Sequence, residues 1–336
     1  MATIRQIARE AGVSVGTVSN VLNNNNNVAL ATRERVQMVI RRHNFRPSTV
    51  ARSLSTHRTG MLGLIVSNIS NPFSSELARG AIESAQRAGH GLLVLGAAAD
   101  GLDLPTQVDT LVHQWVDGIL ITSEPLPEHK LNQLPCGNTP LFMMDCAQPP
   151  HPNVIGLISF DWEAAGYAAA RHLLLLGHRR IGYIGGIADH PSSRLREQGV
   201  QRALSEAGVA IDPVLECSGN FLADGGYQAA RLLLGLPEPP TALITANDLM
   251  ALGALQAIGE SGLQAPNDIS LVGMDDIPYA NFLSPPLTTI NLPSYRAGQI
   301  GIQMLLDAGQ QNAALQRIVL PTRLVERSST LAIQLY

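Results

Sequence analysis

The stretch TIRQIAREAGVSVGTVSNVL, residues 3–22, decides the fold of the N-terminal part of this chain. Its apolar residues recur at helical spacing in two short runs, which predict one helix over 4–11 and a second over 14–22. Gly12 supplies the backbone freedom that a tight turn requires, and Ser14 is a suitable N-cap for the second helix. Two helices joined in this way can place the second one in a DNA major groove. The segment therefore predicts a helix-turn-helix DNA-binding unit.

Charge is unevenly distributed along the 336-residue chain, whose formal net charge is −4. Residues 1–58 contain nine arginines, no lysine and two glutamates, so this segment carries +7 and the remainder carries −11. A basic segment on an acidic body indicates that the N-terminal part meets a polyanion and that the rest does not. At this length more than one domain is expected, and a composition of 45% hydrophobic and 15% charged residues is typical of ordered globular domains.

The N-terminal segment continues beyond the first two helices. Val36, Val39 and Ile40 lie at helical spacing and predict a third helix over 31–43, with Thr32 as its cap. Residues 48–57 have weak helical character and are too short and polar to form a stable helix alone. From Met61 onward the pattern changes to that of a different kind of domain.

The body of the chain alternates apolar strand-like runs with helical stretches. Strands are predicted at 62–69, 92–97, 118–122, 141–145 and 154–159, then at 180–184, near 215, and at 242–245, 270–274 and 288–292. Helices are predicted at 75–88, 163–176, 193–207, 227–234 and 249–261. This alternation predicts parallel sheets with helices on both faces, and about ten strands exceed one ordinary open sheet. We therefore expect two similar sheets, with a helix at 295–308 and a strand at 317–320 returning to the first.

Polar residues follow several of the predicted strands. In doubly wound sheets the ligand binds beyond the carboxyl ends of the strands, and polar groups there need water, a ligand or neighbours to satisfy them. The set comprises Asn68, Ser123, Asp145, Asp161, Asn247 and Asp275. It predicts a polar small-molecule site in a cleft between the two sheets.

Enzyme motifs are formally present but lack their structural context. Residues 12–16 match G-x-S-x-G, yet a helix precedes Ser14 where a nucleophile elbow needs a strand. Residues 182–186 lack the spacing of a dinucleotide-binding loop, and there is no Walker phosphate loop. The nine histidines are scattered and the three cysteines form no CxxC pair, so neither a metal site nor a disulfide framework is indicated. We expect no enzymatic activity, no cofactor and no metal.

Two classes of non-enzymatic protein share part of this pattern, solute-binding proteins and architectural DNA-binding proteins. The body alone would suit a transport-associated solute-binding protein, but the sequence begins without a basic-then-apolar secretion segment and carries a basic head. A DNA-binding architectural protein without a ligand is disfavoured by the polar strand ends. No apolar run is long enough to span a bilayer, so we expect a cytoplasmic protein that does not associate with membranes.

Several motifs together resemble those of the lactose/galactose-repressor (LacI/GalR) family of bacterial transcription regulators. The resemblance covers nearly the whole chain and is most specific in IRQIAREAGVSVGTVSNVLN. Further matching stretches are VALATRERVQMVIRRHNFRPSTVARSL (28–54), NPFSSELARGAIESAQRAGH (71–90), LGH before RRIGYIGG, NDLMALGAL (247–255), ISLVGMDDIP followed by SPPLTTI, and LVERSST (324–330). The family implies an all-α helix-turn-helix head and an α/β periplasmic-binding-protein-like core of two doubly wound parallel-sheet subdomains.

The resemblance also implies domain boundaries and DNA-contacting positions. The head spans 1–47, a hinge spans 48–58, and the core spans 59–336, with an N-subdomain of 59–160 and 293–321 and a C-subdomain of 161–292 and 322–336. The DNA-contacting positions are Arg5, Ser14, Val15, Gly16, Thr17, Ser19, Asn20, Arg33, Ala51 and Leu54, and Arg35 is a further candidate for a phosphate contact. Val15 can touch a thymine methyl group and Asn20 can pair with adenine, whereas an equal alternative is that phosphate contacts and DNA shape carry the specificity. Leu54 takes the place of the family's apolar minor-groove wedge.

The effector site implied by the resemblance agrees with the chemistry of its residues. It comprises Phe73, Ser123, Asp145, Asp161, Arg196, Phe221, Asn247 and Asp275. Aromatic faces alternating with hydrogen-bonding groups suit a sugar or a nucleoside. Trp162, next to Asp161, departs from the family, which often has Asn at this position. We expect a homodimeric repressor that binds a palindromic operator and is released by a small sugar-like effector; a nucleoside-type or co-repressor-responsive regulator is the alternative.

Overall fold

The computed structural model describes residues 2–22, 27–45, 58–96, 104–122, 132–144, 152–188, 190–210, 212–308 and 315–333. The chain divides into two compact units, Met1–Thr59 and Gly60–Tyr336. Four predicted site residues, Ala51, Leu54, Ser123 and Asp145, lie outside the described residues.

Over residues 2–22 and 27–45, the part of the first unit that is described before the core begins, three helices form: α1 (Ile4–Ala11), α2 (Val15–Leu22) and α3 (Leu30–Arg42). The turn between α1 and α2 forms as predicted, because Gly12 ends α1 with φ +65° and the Ser14 hydroxyl accepts a hydrogen bond from the Thr17 N–H at 3.1 Å. Fully buried Ile7, Val18 and Val36 from the three helices form the centre of one small core. The predicted cap Thr32 is wrong: α3 begins after Ala29, whose side chain makes no capping hydrogen bond.

The described residues of the second unit form two six-stranded sheets. The first has strand order β11-β5-β4-β3-β1-β2 and is parallel throughout; the second has the order β12-β10-β9-β8-β6-β7, with only β12 antiparallel, to β10. The strands are β1 (Met61–Val66), β2 (Gly91–Gly96), β3 (Ile119–Thr122), β4 (Leu141–Met144), β5 (Val154–Phe160), β6 (Ile181–Gly185), β7 (Glu216–Ser218), β8 (Ala242–Thr245), β9 (Ser270–Asp275), β10 (Thr288–Asn291), β11 (Gln316–Leu320) and β12 (Arg323–Val325). The predicted fold class is confirmed.

Helices connect the strands, as the alternating pattern predicts. They are α4 (Pro72–Arg87), α5 (Leu104–His113), α6 (Trp162–Leu175), α7 (Pro191–Glu206), α8 (Ala223–Leu234), α9 (Asp248–Glu260) and α10 (Ser294–Ala308). Helix α5 is absent from the sequence prediction, and the uncertain strand near 215 is a short 3₁₀ turn followed by β7. Within the described residues, no helix combines the length and apolar character that a membrane span needs.

Glycines allow the helices on the sheets to pack closely in pairs. A Cβ atom at Gly166 of α6 would lie 1.9 Å from the Arg196 carbonyl oxygen of α7, and one at Gly199 of α7 would lie 2.0 Å from the Glu163 carbonyl oxygen of α6. Each helix thus offers a glycine to the backbone of its partner. This reciprocal contact fixes α7, and with it Arg196, against the first turns of α6.

Candidate DNA-reading helix and effector site

Helix α2 has one face in the core of the first unit and the opposite face in solvent. Val18 and Val21 are buried, whereas Val15, Gly16 and Asn20 are exposed, and Val15 is 41% accessible although it is apolar. The half-buried hydroxyl of Thr17 pairs with that of Ser14 at 2.9 Å, which ties the start of the helix to its cap. The exposed face carries small or short side chains and no charge.

Two of the three described helices of this unit, α1 and α3, carry the arginines predicted to contact phosphates. Arg5 and Arg35 are exposed and Arg33 is half-buried. The C-terminal end of α3 is tied to α1, because Glu10 pairs with Arg42 at 3.1 Å and with His43. The predicted phosphate contacts at Arg5, Arg33 and Arg35 stay predictions, and the head presents them on a braced three-helix core.

The effector-site candidates of the second subdomain lie at the carboxyl ends of β6 to β9. Arg196 comes from α7, which follows β6; Phe221 follows β7; Asn247 follows β8; Asp275 ends β9. Strand order reverses between β6 and β8, and such a reversal opens a crevice at the carboxyl edge of the sheet. The fold therefore brings four predicted residues, separated by up to 79 positions in sequence, to one end of one sheet.

Arg196 lies at the centre of this group and is buried, with 4% of its surface accessible. Its guanidinium carbon is 3.9 Å from the ring centre of Trp162 and 5.4 Å from that of Phe221, so the cation contacts two aromatic rings. One terminal nitrogen donates to the Ser192 hydroxyl at 3.1 Å, and the other lies 3.9 Å from a carboxylate oxygen of Asp275. This separation exceeds that of a hydrogen bond, so Arg196 and Asp275 form a buried ion pair at longer range.

The two carboxylates on this side of the site differ in their environment. Burial raises the pKa of Asp275 well above its ordinary value; the Arg196 cation opposes that rise and the neighbouring Asp248 adds to it. Burial also raises the pKa of Asp248 to about 7, although its carboxylate accepts hydrogen bonds from the Thr289 hydroxyl at 2.6 Å and the Ile277 N–H at 2.9 Å. Asp248 thereby holds the turn after β9 against β10, next to Asp275.

Backbone strain is concentrated beside the same residues. Phe221, Asp275 and Asp276 have φ angles of +63°, +126° and +58°, which non-glycine residues rarely adopt. The Asn247 side chain supports the Phe221 loop by donating to the Phe221 carbonyl at 2.9 Å, while its amide oxygen caps α9 through the Met250 N–H at 2.9 Å. Both ends of the Asn247 amide therefore serve the fold, and its contact with an effector stays a prediction.

The candidates at the first sheet are placed differently. Phe73 lies in the first turn of α4, half-buried, and its ring packs edge-on against Phe160 at 5.6 Å; Phe160 packs in the same way against Trp162 at 5.1 Å. An aromatic chain thus runs from the first subdomain through the crossover after β5 to Arg196. Asp161 is exposed and caps α6 by accepting from the Ala164 N–H at 3.0 Å, so it is not among the buried groups around Arg196.

The structure adds three residues to this cluster that the sequence prediction did not include. They are Trp162, His190 and Ser192. The His190 ring packs edge-on against Phe221 at 5.6 Å and accepts from the Ser192 hydroxyl at Nδ1 over 2.8 Å. Burial, with a contribution from the Arg196 cation, lowers the pKa of His190 to about 4, so its ring is neutral at pH 7. Ser192 and Arg196 are four residues apart on α7 and share a face of it, but the helix predicted over 193–207 begins one residue too late to include Ser192.

A helix-turn-helix head on the same chain as a two-sheet receptor domain defines a ligand-responsive DNA-binding transcription regulator. Residues 3–48 match the family of bacterial regulatory proteins described as the lacI family, and residues 170–330 match the periplasmic binding protein-like domain. This chain belongs to the lacI family of bacterial regulatory proteins.

Relatives and solved structures agree with this assignment. The Ribose operon repressor of Escherichia coli strain K12 is 37% identical over 332 residues, covering 98% of this chain and all of the relative. The HTH-type transcriptional repressor PurR of Haemophilus influenzae strain PittEE is 37% identical over 308 residues, covering 91% of each chain. The Lac repressor dimer bound to operator and the anti-inducer ONPF superposes with a TM-score of 0.85 at 32% identity, covering 98% of this chain and 99% of the other. These relatives are transcriptional repressors, and members of the family bind operator DNA as dimers.

Proposed function

We propose that this chain is a repressor that binds a palindromic operator as a dimer and releases it when a small sugar binds between the two sheets. The observation that carries the proposal is the buried group formed by Arg196 and Asp275 between aromatic rings. A guanidinium donates several hydrogen bonds in a plane and a carboxylate accepts them, so together they match the donor and acceptor roles of sugar hydroxyls. The rings of Phe221 and Phe73 supply apolar surface for the faces of a sugar ring.

A pentose is the first sugar to test. The Ribose operon repressor matches this chain over almost its full length, so we choose D-ribose as the first probe. PurR is also 37% identical to this chain, so effectors other than sugars are tested as well. A nucleoside or nucleobase is the second candidate, because the Phe221 and His190 rings offer flat faces on which a base can stack. The remaining effector contacts, at Phe73, Ser123, Asp145, Asp161 and Asn247, belong to the same proposal.

Release of DNA follows from unequal binding to two states. An effector shifts operator affinity only if it binds the DNA-incompetent state more tightly than the competent one, and the shift equals its differential affinity. We infer that sugar binding draws the two subdomains together, since ring contacts through Phe160 and Trp162 link Phe73 of the first subdomain to Arg196 of the second. In the co-repressor alternative, the ligand binds the DNA-competent state more tightly and raises operator affinity.

For the DNA interface we propose base contacts from Val15 and Asn20, with Gly16 allowing close approach and Ser14, Thr17 and Ser19 completing the groove-facing turn. Arg5, Arg33 and Arg35 contact phosphates. The hinge, 48–58, contributes Ala51 and the minor-groove wedge Leu54, and it separates the head, 1–47, from the core, 59–336. The exposed face of α2 and the basic charge of 1–58 support this assignment.

We propose further that the protein performs no catalysis and acts in the cytoplasm. Its relatives are repressors, and the bacterial chromosome that an operator-binding protein must reach lies in that compartment. Incubation with sugars and nucleosides under turnover conditions tests the first statement, because product formation that depends on Arg196 would contradict it.

Calorimetric titration of D-ribose, with operator binding measured in parallel, tests the effector proposal. Wild-type protein binds the sugar and loses operator affinity as it does so. Arg196→Met removes ribose binding, whereas Arg194→Met, an exposed arginine on the same helix, leaves it intact. Binding of a nucleoside in place of ribose would favour the second candidate, and equal loss in both variants would contradict a specific role for Arg196.

A further inference from the structure

Trp162 lies under the residue on which the proposed function depends, although nothing in the sequence assigns it a role. Trp162 is the first residue of α6, and it is 5% accessible. The guanidinium carbon of Arg196 lies over the indole ring, 3.9 Å from its centre, which is direct contact. Tryptophan is the aromatic residue that attracts a cation most strongly, and the attraction is larger where water is excluded, as at this site.

The backbone beneath the pair is fixed by the glycine contacts between α6 and α7. Gly166 lies one turn after Trp162, and the backbone of Arg196 itself packs against it. A side chain at either Gly166 or Gly199 would collide with the opposite backbone, so the distance between the two helices has little freedom. The helix packing therefore fixes the backbone positions from which the indole and the guanidinium meet at 3.9 Å.

The other edge of the indole points toward the first subdomain. Trp162 packs against Phe160 at 5.1 Å and Phe160 against Phe73 at 5.6 Å, both edge-on. Phe160 is the last residue of β5 and pairs with Leu320 of β11, and the Asp161 N–H donates to the Leu320 carbonyl at 3.1 Å. The contacting rings of Phe73, Phe160 and Trp162 therefore span the connection between the subdomains, next to the end of β11.

We propose that Trp162 is a positioning residue of the effector site: its indole holds the Arg196 guanidinium in place for the effector and connects that cation, through Phe160, to Phe73 on the first subdomain. The part of this inference that concerns effector binding rests on the proposed function. The contact between Trp162 and Arg196 exists without a ligand and is measured separately.

A double-mutant cycle tests the contact without any effector. The full-length wild type, Trp162→Leu, Arg196→Met and the double variant are unfolded in urea and followed by circular dichroism. We expect the two single changes to be coupled by ~10-fold in the unfolding equilibrium constant, as for a desolvated cation–π contact. The cost of leaving Asp275 without its cation occurs on both sides of the cycle and cancels. Effects that multiply to within about twofold would overturn the proposal.

A second set of variants keeps the test independent of folding defects. Trp162→Phe retains a ring face of lower cation affinity and should keep part of the coupling to Arg196, while Trp162→Leu loses it. The matched control is Trp115→Phe, because Trp115 is the other tryptophan of the chain and is 69% accessible.

Titration with D-ribose completes the test. We expect ribose affinity to fall ~10-fold in Trp162→Leu, less in Trp162→Phe, and not at all in Trp115→Phe. Unchanged affinity in Trp162→Leu, or an equal loss in Trp115→Phe, would overturn the role of Trp162. If wild-type protein does not bind D-ribose, the pentose proposal fails, and the urea cycle alone decides whether Trp162 positions Arg196.

Discussion

Replacing Gly166 by alanine tests whether close helix packing places Arg196 in the effector site. The added Cβ would lie 1.9 Å from the Arg196 carbonyl oxygen and 2.8 Å from its carbonyl carbon, whereas ordinary contacts begin at 3.4 Å. The obstacle is backbone, which cannot rotate away, so α6 and α7 must separate by about 1.5 Å. Overpacking of this kind costs about 1–3 kcal/mol, against which the better helix propensity of alanine returns up to about 1 kcal/mol.

We expect Gly166→Ala to be destabilised by about 1–2 kcal/mol, which corresponds to a fall in Tm of about 2–8 °C for a domain of this size. Because the displaced helix carries Arg196, ribose affinity should fall as well, by about tenfold if the guanidinium loses about 1.4 kcal/mol of its interaction. Thermal unfolding and calorimetric titration on the same preparation measure both effects.

The matched control is Gly259→Ala in α9. A Cβ atom at Gly259 would meet nothing within 4 Å, so the alanine gains helix propensity without a collision and should stabilise the protein by about 0.5–1 kcal/mol. The two substitutions are chemically identical and have opposite predicted signs. If Gly166→Ala were as stable as Gly259→Ala and bound ribose normally, the packing argument for the position of Arg196 would be refuted.

Three further predictions concern the hinge, the pH response and the dimer. Leu54→Ala should weaken binding to the specific operator far more than binding to random duplex in mobility-shift titrations, and equal losses would refute the wedge role. In the folded protein the pKa of His190 is about 4, below its ordinary 6.5, so between these values the unfolded state binds a proton more readily and stability should fall as the pH drops from 6.5 to 4. In urea unfolding, His190→Gln should lose less stability over this pH range than wild type, and equal losses would contradict this. Phe282 is 83% accessible, and we expect this exposed aromatic residue to lie in the dimer contact, so Phe282→Asp should shift sedimentation toward the monomer; an unchanged dimer would contradict this expectation.

The sequence predicted the local elements well where short-range chemistry determines them. The limits of α1 agree with the prediction because Thr3 and Gly12 bound the helix, and Ser14 caps α2 through a contact three residues away. The start of α3 was misplaced because an attractive cap residue, Thr32, lies inside a helix that has no side-chain cap. Helix α5 was missed, although Val108 and Leu111 are buried at helical spacing.

The chemistry of the effector site was less accessible, because it depends on tertiary contacts. Trp162 and Arg196 are 34 residues apart and meet only because two helices pack at their glycines. The sequence predicts that Asn247 accepts a hydrogen bond from a ligand, but its amide oxygen accepts from the Met250 N–H and its amide nitrogen donates to the Phe221 carbonyl. The position of Phe221 beside Asn247 depends on the pairing of β6, β7 and β8. Sequence periodicity locates the ends of strands, but it does not show which polar side chains at those ends hydrogen-bond within the protein.

The central claim, that an effector in the second unit controls operator binding by the first, is tested most directly by selection and release. Wild-type protein should enrich a two-fold symmetric sequence from a random duplex pool, and D-ribose, or failing that a nucleoside, should lower its affinity for that sequence by at least about fivefold. The Arg196→Met variant should enrich the same sequence and show no such loss. Enrichment of no symmetric sequence, or an affinity that no sugar or nucleoside changes, would contradict the account.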